Sequence, residues 1–454
     1  MEKISVCVRR EGLGEGECDS GKEIGSYCPD MASAPIRLGL KFANGKNVAS
    51  KVILSTKFGQ LDILTAGITG RTARTGDEPP KPKPWPYIEK GYSNWTFWID
   101  KTLKRFDDNT RLITVEGPPA VGKSAVARAL AEELEFQYFP MVTMDYEYIN
   151  SYGFDIRTVD GKLPKACQYC DERKFISNPR DENAPAMIFA LLRLKYEQYI
   201  DALMHVFNTG QGVVLERCSF TDVAFADAAA RVGYLNKNER LGYDKHRNAA
   251  LPDLLRPHLI VYLDASVDTV LNNFKKRGLG EEKTYNADYL TELEDSYKRR
   301  ILVELEKHAE LLVYDWNTPG DVEAVVEDVE RINFEKYFID YSYRDEKMKD
   351  WRFEKDEEAS ELRWLYTHTK DILLSNFNVP LLDCPRLYMS GEDSYVLDNL
   401  RETLPGYKYV DGFNPDLGDK IMLRNFSKRS RTLQPCVTDY LVGKTPKPSG
   451  PARI

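Results

Sequence analysis

Residues 117–124 read G-P-P-A-V-G-K-S and match the phosphate-loop pattern G-x-x-x-x-G-K-[ST] at every fixed position. Gly117 permits a tight turn, and Gly122 lets the backbone approach a ligand closely. The backbone N–H groups that follow can surround phosphate oxygens, together with the N-terminus of the next helix. Lys123 would bind the terminal phosphates, and the Ser124 hydroxyl would coordinate Mg²⁺. The motif therefore predicts a nucleotide phosphate site.

A phosphate loop does not by itself establish turnover. The pattern arises by chance in only roughly 2% of chains of this length, so it is a strong structural signal. A fold can nevertheless keep the geometry of the loop after its reaction has been lost. Two interpretations stay open at this point: an enzyme that uses a nucleotide, and a protein that keeps the loop for binding or for its fold alone.

The stretch LERCSFTD, residues 215–222, supplies a second polar group. It ends an apolar run that we predict to be a strand, so Glu216 and Arg217 should reach the same sheet edge as the phosphate loop. Arg217 is a candidate phosphate ligand, and Glu216 is a candidate ligand of a metal or a substrate hydroxyl. If the chain catalyses a reaction, these two residues are expected to carry it. The alternative is a structural ion pair at the strand end.

Basic residues in FKKRGLGEEK, residues 274–283, could close over phosphates as a lid. They are Lys275, Lys276 and Arg277, and Arg277 is the candidate nucleotide ligand among them. Basic residues at the end of a helix also complement its dipole, which is the interpretation we favour because only one arginine is present.

Cysteine and histidine spacing does not predict a metal site. Cys167 and Cys170 form one C-x-x-C without a second pair, whereas structural zinc requires four ligands. The five histidines show neither metal spacing nor a nucleophile partner.

Alternating apolar runs and helical patterns must position these residues. The predicted strands lie at 111–117, 135–140, 210–217, 258–265 and 311–316, and the clearest predicted helices lie at 123–134, 184–208 and 321–332. This order predicts an α/β, P-loop NTPase-like fold with a five-stranded parallel sheet and helices on both faces. The phosphate loop would follow the first strand, at the carboxyl edge where such sheets bind ligands.

We divide the chain by its changes in composition. Residues 1–30 are an acidic, glycine-rich extension of uncertain role, 31–76 a basic arm, 77–110 a proline-rich linker with a lead-in helix, 111–340 the α/β domain, and 341–454 a partly irregular C-terminal extension. The extension contains an amphipathic helix around Leu362 and Phe377 and ends in a segment without periodicity. An extension of this length either wraps its own domain or contacts a partner, and we predict partner contact.

The arm 31–76 has seven basic residues against one acid and is rich in Ser, Thr and Ala. This composition is typical of a mitochondrial transit peptide, although a flexible basic arm would look similar. Because transit peptides are read from the extreme N-terminus, we predict that translation starts at Met31 rather than Met1.

Composition excludes several other classes of protein. The 454 residues carry a net charge of −8, which argues against general nucleic-acid binding. No apolar run approaches the roughly 20 residues that span a bilayer, so any membrane association should be peripheral, through partners. Eight scattered cysteines suit a reducing compartment.

The order of phosphate loop, long helix, GQGVVLER, basic lid and closing helix resembles the deoxynucleoside kinase family. The blocks TGQGVVLER and RPHLIVYLDASV, the C-terminal extension and the arm look like a branch of that family whose members are accessory subunits of respiratory complex I. The resemblance covers roughly residues 85 to 400. Family residues carry over onto Lys123, Ser124, Glu216 and Arg217, whereas the serine of the family's Glu-Arg-Ser motif is Cys218 here.

The resemblance also implies losses on the phosphate-acceptor side. Kinase members carry a catalytic glutamate after the second strand, where this chain has Met141, which cannot act as a base. Asp145 or Glu147 would be the nearest substitutes. Kinases of the family recognise the nucleobase of the substrate with a glutamine on the long helix. This chain has Ile188 and Ala190 in that region, and Gln198 lies too far along the helix to take the place of that glutamine.

We therefore expect a non-catalytic accessory subunit of complex I, on the matrix side of the mitochondrial inner membrane, that supports assembly or stability. Its implied partners are other complex I subunits, and its implied ligand is a nucleotide with Mg²⁺ held by Ser124 and Glu216. FAD is associated with the family, but no flavin motif separate from the phosphate loop is visible. The alternative is an active mitochondrial deoxynucleoside kinase that transfers phosphate from ATP.

Overall fold

Five parallel strands form one sheet in the order β2-β3-β1-β4-β5. They are β1 Leu112–Glu116, β2 Gln137–Phe139, β3 Val213–Glu216, β4 Leu259–Asp264 and β5 Glu310–Asp315. All five predicted strands and the parallel sheet are confirmed. β1 is central and buried along its whole length, as its continuous apolar run requires. Because Val115 pairs with Glu216, the carboxyl ends of β1 and β3 lie side by side.

The computed structural model of the chain describes residues 68–71, 81–278, 285–334, 347–409 and 414–417. The acidic extension, nearly all of the basic arm with Met31, part of the predicted lid and the C-terminal tail lie outside the described residues. Within the described ranges, no helix is long and apolar enough to cross a membrane.

Helices connect the strands and cover both faces of the sheet. Those before β3 are α1 Tyr87–Lys90, α2 Asn94–Ile99, α3 Lys123–Leu134, α4 Asp145–Tyr148, α5 Glu172–Ser177 and α6 Ala184–Thr209. Those that follow are α7 Val223–Arg231, α8 Lys237–Ala250, α9 Val267–Arg277, α10 Ala287–Ser296, α11 Leu302–Leu305 and α12 Val322–Glu330. The extension adds α13 Asp356–His368, α14 Lys370–Leu374 and α15 Gly391–Thr403.

Two hydrophobic clusters lie on opposite faces of the sheet. One contains the apolar faces of α3, α9 and α12 with the side chains of Ile113 and Val115. The other contains α6, α7 and α8 with Leu112. Successive β1 side chains point to opposite faces, which explains why Leu112 and Ile113 belong to different clusters. The predicted helices on both faces are confirmed.

The structure has a helix after residue 378, where the sequence analysis placed no regular element. The helix α15 begins after Ser390, whose side-chain oxygen accepts a hydrogen bond from Asp393 N at 3.0 Å. Leu397 is the one side chain of this helix that is buried. A helix with so narrow an apolar face shows no clear period of 3.6 in its sequence.

A buried arginine joins the C-terminal extension to the rest of the fold. Arg363 of α13 is fully buried and donates to Asp100 Oδ2 and to Asn208 Oδ1, both at 2.8 Å. Its guanidinium lies 4.0 Å from the ring centroid of Tyr92. We call Arg363 with Asp100 and Asn208 the arginine clasp. It binds the extension to the lead-in segment and to α6 at once.

A second buried ion pair joins the extension to the same long helix. Lys370 of α14 donates to Asp201 at 2.6 Å and lies 3.1 Å from Glu197, both on α6. Burial of charged groups is favourable only when they are paired in this way. The described part of the extension thus packs on its own domain, and its contact with a partner stays a prediction.

The end of the basic arm also packs on the α/β domain. Ile68 is buried in the cluster that contains α3 and α12. Thr69 N donates to Asn109 Oδ1 at 2.8 Å, and Gly70 N donates to Glu330 Oε1 at 2.7 Å. These contacts make residues 68–71 part of the folded domain.

We predict that Arg363→Met lowers the free energy of unfolding by roughly 3 kcal/mol, because Asn208 and one Asp100 oxygen lose a charged donor in a buried place. Chemical denaturation of the purified protein measures this change. Arg331→Met is the matched control, since Arg331 is 62% exposed and pairs with Glu327 on the surface; it should change the free energy by less than about 0.5 kcal/mol. Equal effects of the two substitutions would contradict the role of the clasp.

Candidate functional site

The phosphate loop connects β1 to α3 and has the backbone that its glycines predict. Gly117 has φ 143°, and a Cβ there would lie 2.5 Å from the carbonyl oxygen of Leu263 on the neighbouring strand β4. Gly122 has φ 88° and precedes the first residue of α3, in the left-handed region that favours glycine. Helix α9 contacts the loop as well, because Asn273 Nδ2 donates to Ala120 O at 3.1 Å.

Lys123 is buried inside the loop. Its Nζ donates to the carbonyl oxygen of Pro118 at 2.6 Å. Burial, followed by the nearby Arg217 guanidinium, lowers the pKa of Lys123 well below its ordinary value, and Arg277 acts in the same direction. A phosphate brought to this amine would favour its charged form, since an opposite charge raises the pKa of an amine.

Ser124 and Glu216 meet across the ends of β1 and β3. Ser124 Oγ donates to Glu216 Oε1 at 2.8 Å, and the Tyr138 hydroxyl donates to Glu216 Oε2 at 3.1 Å. The hydroxyl oxygen of Ser124 and a carboxylate oxygen of Glu216 thus lie next to each other, which is the arrangement expected of two Mg²⁺ ligands. Glu216 is engaged with these hydroxyls, and the described contacts contain no ion pair between Glu216 and Arg217.

Arg217 has an uncommon backbone conformation for a side chain of its size. Its φ is +67°, a left-handed conformation that costs a non-glycine residue roughly 1–2 kcal/mol. The guanidinium donates to Gly117 O at 3.3 Å and lies 4.3 Å from the ring centroid of Phe225. Its Nε is buried without a hydrogen-bond partner among the described residues. The strained turn thus directs a buried cation, with one unused donor, onto the phosphate loop.

Glu116, the last residue of β1, is a site residue that the sequence analysis missed. It is fully buried and accepts hydrogen bonds from Cys218 N at 2.9 Å, Thr221 Oγ1 at 2.8 Å and the Tyr297 hydroxyl at 3.3 Å. Burial raises its pKa, and the hydrogen bond from Thr221 opposes that shift. The signal available in the sequence was a carboxylate directly before Gly117, at the end of a strand predicted to be buried.

Cys218 replaces the serine of the family motif and lies in the turn that Glu116 holds. Its thiol is buried 3.8 Å from Thr221 Oγ1. Burial raises the pKa of Cys218 well above its ordinary value, and the nearby Glu116 carboxylate adds to that shift. Both effects disfavour the thiolate, which is the nucleophilic form of cysteine.

Two carboxylates that follow β2 in the chain, Asp145 and Glu147, are engaged in ion pairs. Met141 follows Pro140 after β2, as the sequence analysis stated. Asp145 pairs with Arg157 at 2.6 Å, and Glu147 pairs with Arg193 at 2.7 Å. Both carboxylates are therefore engaged with arginines at exposed positions.

The residues of α6 on the acceptor side pack into the core. Ile188 is buried in the cluster around α6. Gln198, two turns further along than the family's glutamine, donates to the Pro140 carbonyl at 2.6 Å and so fixes the end of β2. This amide is used within the protein, which agrees with the expectation that Gln198 does not replace the missing glutamine.

A buried ion pair that the sequence analysis missed lies beside the phosphate loop. Lys195 of α6 donates to Asp222, and the Tyr243 hydroxyl donates to the other carboxylate oxygen of Asp222 at 2.7 Å. Lys195 also lies 5.2 Å from the ring centroid of Phe225, the same ring that Arg217 contacts. The spacing between α6 and Asp222 in the chain is too long for sequence patterns to reveal this pair.

The remaining predicted residues are placed as follows. Lys275, Lys276 and Arg277 end α9 and are exposed, and most of the loop after them lies outside the described residues. Cys167 and Cys170 are free, buried thiols. In the part of the chain that the structure describes, no three His, Cys, Asp or Glu side chains are grouped as metal ligands.

These residues fit a nucleotide phosphate group. The loop presents backbone N–H groups at the start of α3, Lys123 is the amine beside it, and the unused Nε of Arg217 is a further donor. Ser124 and Glu216 fit Mg²⁺, which takes one or two protein oxygens and completes its coordination with phosphate and water. Gly117, Gly122, Lys123, Ser124, Glu216 and Arg217 are all brought to this place, and Arg277 lies near enough to affect Lys123.

Comparison with known proteins places the chain in a family. A model of the deoxynucleoside kinase family matches residues 113–341. NADH dehydrogenase [ubiquinone] 1 alpha subcomplex subunit 10, mitochondrial, of Rattus norvegicus is 32% identical over 71% of this chain and 86% of its own length. The protein of the same name from Bos taurus is 31% identical over 71% of this chain and 89% of its own.

Kinases of the family are more distant relatives. Deoxyguanosine kinase of Dictyostelium discoideum is 22% identical over 51% of this chain and 73% of its own length. Among solved structures, deoxyadenosine kinase from M. mycoides with bound dATP is 18% identical, with a TM-score of 0.36 over 48% of this chain and 96% of that one. From the match of the family model and the relatives above 30% identity, this chain belongs to the deoxynucleoside kinase family.

Proposed function

We propose that this chain is a non-catalytic accessory subunit of mitochondrial respiratory complex I, on the matrix side of the inner membrane, where it supports assembly or stability. The observation that carries the proposal is its similarity to subunit 10, at 31–32% identity over 71% of the chain. The deoxyguanosine kinases are 22% and 27% identical over 51% and 44% of the chain. The similarity to the subunit thus includes more of the chain than the kinase domain alone.

The acceptor side of the site supports a role without turnover. Phosphate transfer to a hydroxyl requires a positioned group that takes its proton. Met141 has no such group, and the carboxylates of Asp145 and Glu147, which follow it in the chain, pair with arginines. Lys195 and Asp222 neutralise each other instead of presenting a free charge.

The donor side supports retained binding of a nucleotide. The loop N–H groups, Lys123 and Arg217 would hold its phosphates, and Arg277 would approach from the end of α9. Ser124 and Glu216 would hold Mg²⁺, which neutralises phosphate charge when it is bound. Such a ligand stabilises the folded state by an amount that rises with the logarithm of its concentration above the dissociation constant, and it could favour assembly without any reaction.

A nucleotide should therefore raise the melting temperature of the purified protein in the presence of Mg²⁺. ATP, deoxynucleoside triphosphates and FAD are tested separately, and a ligand at about 100 times its dissociation constant adds about 2.7 kcal/mol of stability. Lys123→Ala should abolish the ligand-dependent increase, because it removes the buried amine of the loop. Lys307→Ala, at an exposed lysine elsewhere, is the control and should keep the increase. A wild-type protein insensitive to all three ligands would contradict nucleotide binding.

Transfer of phosphate from radiolabelled ATP to each deoxynucleoside tests the absence of turnover. We expect the purified wild-type protein to show no transfer above the level of Lys123→Ala, since Met141 has no group that can take the proton of the hydroxyl. The alternative, an active mitochondrial deoxynucleoside kinase, is favoured by the intact loop with Glu216 and Arg217. Transfer by the wild type that Lys123→Ala removes would establish that alternative.

In solubilised mitochondria the tagged protein should co-migrate with NADH dehydrogenase activity on a native gel. Migration of the whole population as a free protein would contradict the accessory-subunit role. Lys123→Ala distinguishes a structural role from a nucleotide-dependent one. If a bound nucleotide promotes assembly, the co-migrating fraction should fall in Lys123→Ala and stay unchanged in Lys307→Ala.

A further inference from the structure

The short helix α2 presents an apolar face to solvent. Trp95, Trp98 and Ile99 are 82%, 77% and 86% exposed. Their positions differ by three and four residues, so all three lie on one side of the helix. We call these three side chains the aromatic face. Two neighbouring tryptophans with this exposure are unusual, because each leaves a large apolar surface in water.

The residues on either side of α2 in the chain are fixed by contacts with buried arginines. Tyr92, one turn before Trp95, is buried beneath the guanidinium of Arg363. Asp100, directly after Ile99, binds both Arg363 and Arg105. Arg363 thus contacts residues on both sides of α2 in the chain, Tyr92 before the helix and Asp100 after it. These contacts hold α2 in the orientation in which the aromatic face is exposed to solvent.

Exposed lysines flank the aromatic face in the chain. The segment 81–105 contains six basic residues and two acidic ones. Lys90, Lys101 and Lys104 are exposed. The carboxylate of Asp100 is neutralised by its two arginines, so it does not offset these lysines. The residues that flank the face in the chain are thus locally basic, although the chain as a whole is anionic with a net charge of −8.

We propose that the aromatic face docks directly on an anionic phospholipid bilayer. Tryptophan prefers the interface between headgroups and acyl chains, where its ring is buried and its N–H stays hydrated. Ile99 adds an aliphatic side chain at the same depth. Lys90, Lys101 and Lys104 attract the anionic headgroups around the inserted side chains. Aromatic and basic residues together provide the two signals that stable peripheral binding requires.

The size of the face favours a bilayer over a protein partner. Two tryptophans and an isoleucine expose roughly 500 Å² of surface. A stable protein–protein interface buries about 800 Å² on each side, and its core is depleted in lysine. A bilayer has no such minimum area, since a few inserted side chains and their basic neighbours suffice. The docking proposal is independent of the nucleotide site, and it adds direct lipid contact to a membrane association that partners alone would otherwise provide.

Sedimentation with vesicles tests the proposal on the purified full chain. Vesicles of phosphatidylcholine are compared with vesicles that also contain phosphatidylglycerol. The wild type should bind the anionic vesicles and shift its tryptophan emission to shorter wavelength. Trp95→Ala/Trp98→Ala should weaken binding at least about tenfold because the inserted rings are lost. Lys101→Glu/Lys104→Glu should weaken it at least about tenfold as well, through lost attraction to headgroups.

Matched controls use similar residues at other places on the surface. Leu382→Ala/Tyr395→Ala removes side chains that are 79% and 69% exposed, and Lys307→Glu/Lys349→Glu reverses two exposed lysines. Both controls should bind like the wild type. All variants keep the basic arm 31–76, so binding that persists unchanged in Trp95→Ala/Trp98→Ala would not depend on the aromatic face and would overturn the proposal.

The outcome for a protein partner is distinct. Wild-type protein that ignores anionic vesicles, combined with loss of co-migration with complex I in Trp95→Ala/Trp98→Ala, would assign the face to a protein and overturn the lipid proposal. Because the vesicle experiment uses the purified chain alone, its result does not depend on the accessory-subunit role.

Discussion

The buried carboxylate of Glu116 joins the two strands on which the whole site depends. It ends β1, directly before the phosphate loop, and accepts hydrogen bonds from Cys218 and Thr221 after β3. The turn after β3 is thereby fixed in a conformation that includes the left-handed Arg217. Since an unpaired buried carboxylate would be strongly unfavourable, the loop and the turn have to keep their relative positions. The phosphate-binding half of the site therefore belongs to the core of the fold.

This coupling explains how a protein can keep the conformation of the phosphate loop after its catalytic activity has been lost. Lys123 contacts its own loop, and Ser124 contacts Glu216, so the motif residues contribute to the folded structure as well as to any ligand site. The acceptor side has no comparable structural demand. Met141 follows β2, whose end is held by the hydrogen bond from Gln198 to the Pro140 carbonyl. A family member can thus lose the chemistry of acceptor activation and keep a site that fits phosphate.

The buried guanidinium of Arg363 connects segments outside the sheet. Arg363 brings the C-terminal extension, the lead-in segment and α6 together, and the same contacts turn the aromatic face of α2 outward. The described part of the extension therefore packs on its own domain and also determines the orientation of α2 on the protein surface. The phosphate loop and the aromatic face are separate features, built on different buried charges.

The sequence by itself determined the strands, the parallel sheet, the long helix and the phosphate loop, because apolar runs, helical periodicity and the spacing of Gly117, Gly122 and Lys123 are local patterns. It also placed Glu216 and Arg217 at the correct sheet edge, since the carboxyl ends of parallel strands meet there. Only the tertiary structure decided the partners of Glu116, Lys195 and Arg363. Asp222 lies far from Lys195 along the chain, and Asp100 and Asn208 lie far from Arg363. The helix α15 buries too little apolar surface to produce a periodic sequence pattern. Buried charges find their counterions through packing between elements, which no local spacing encodes.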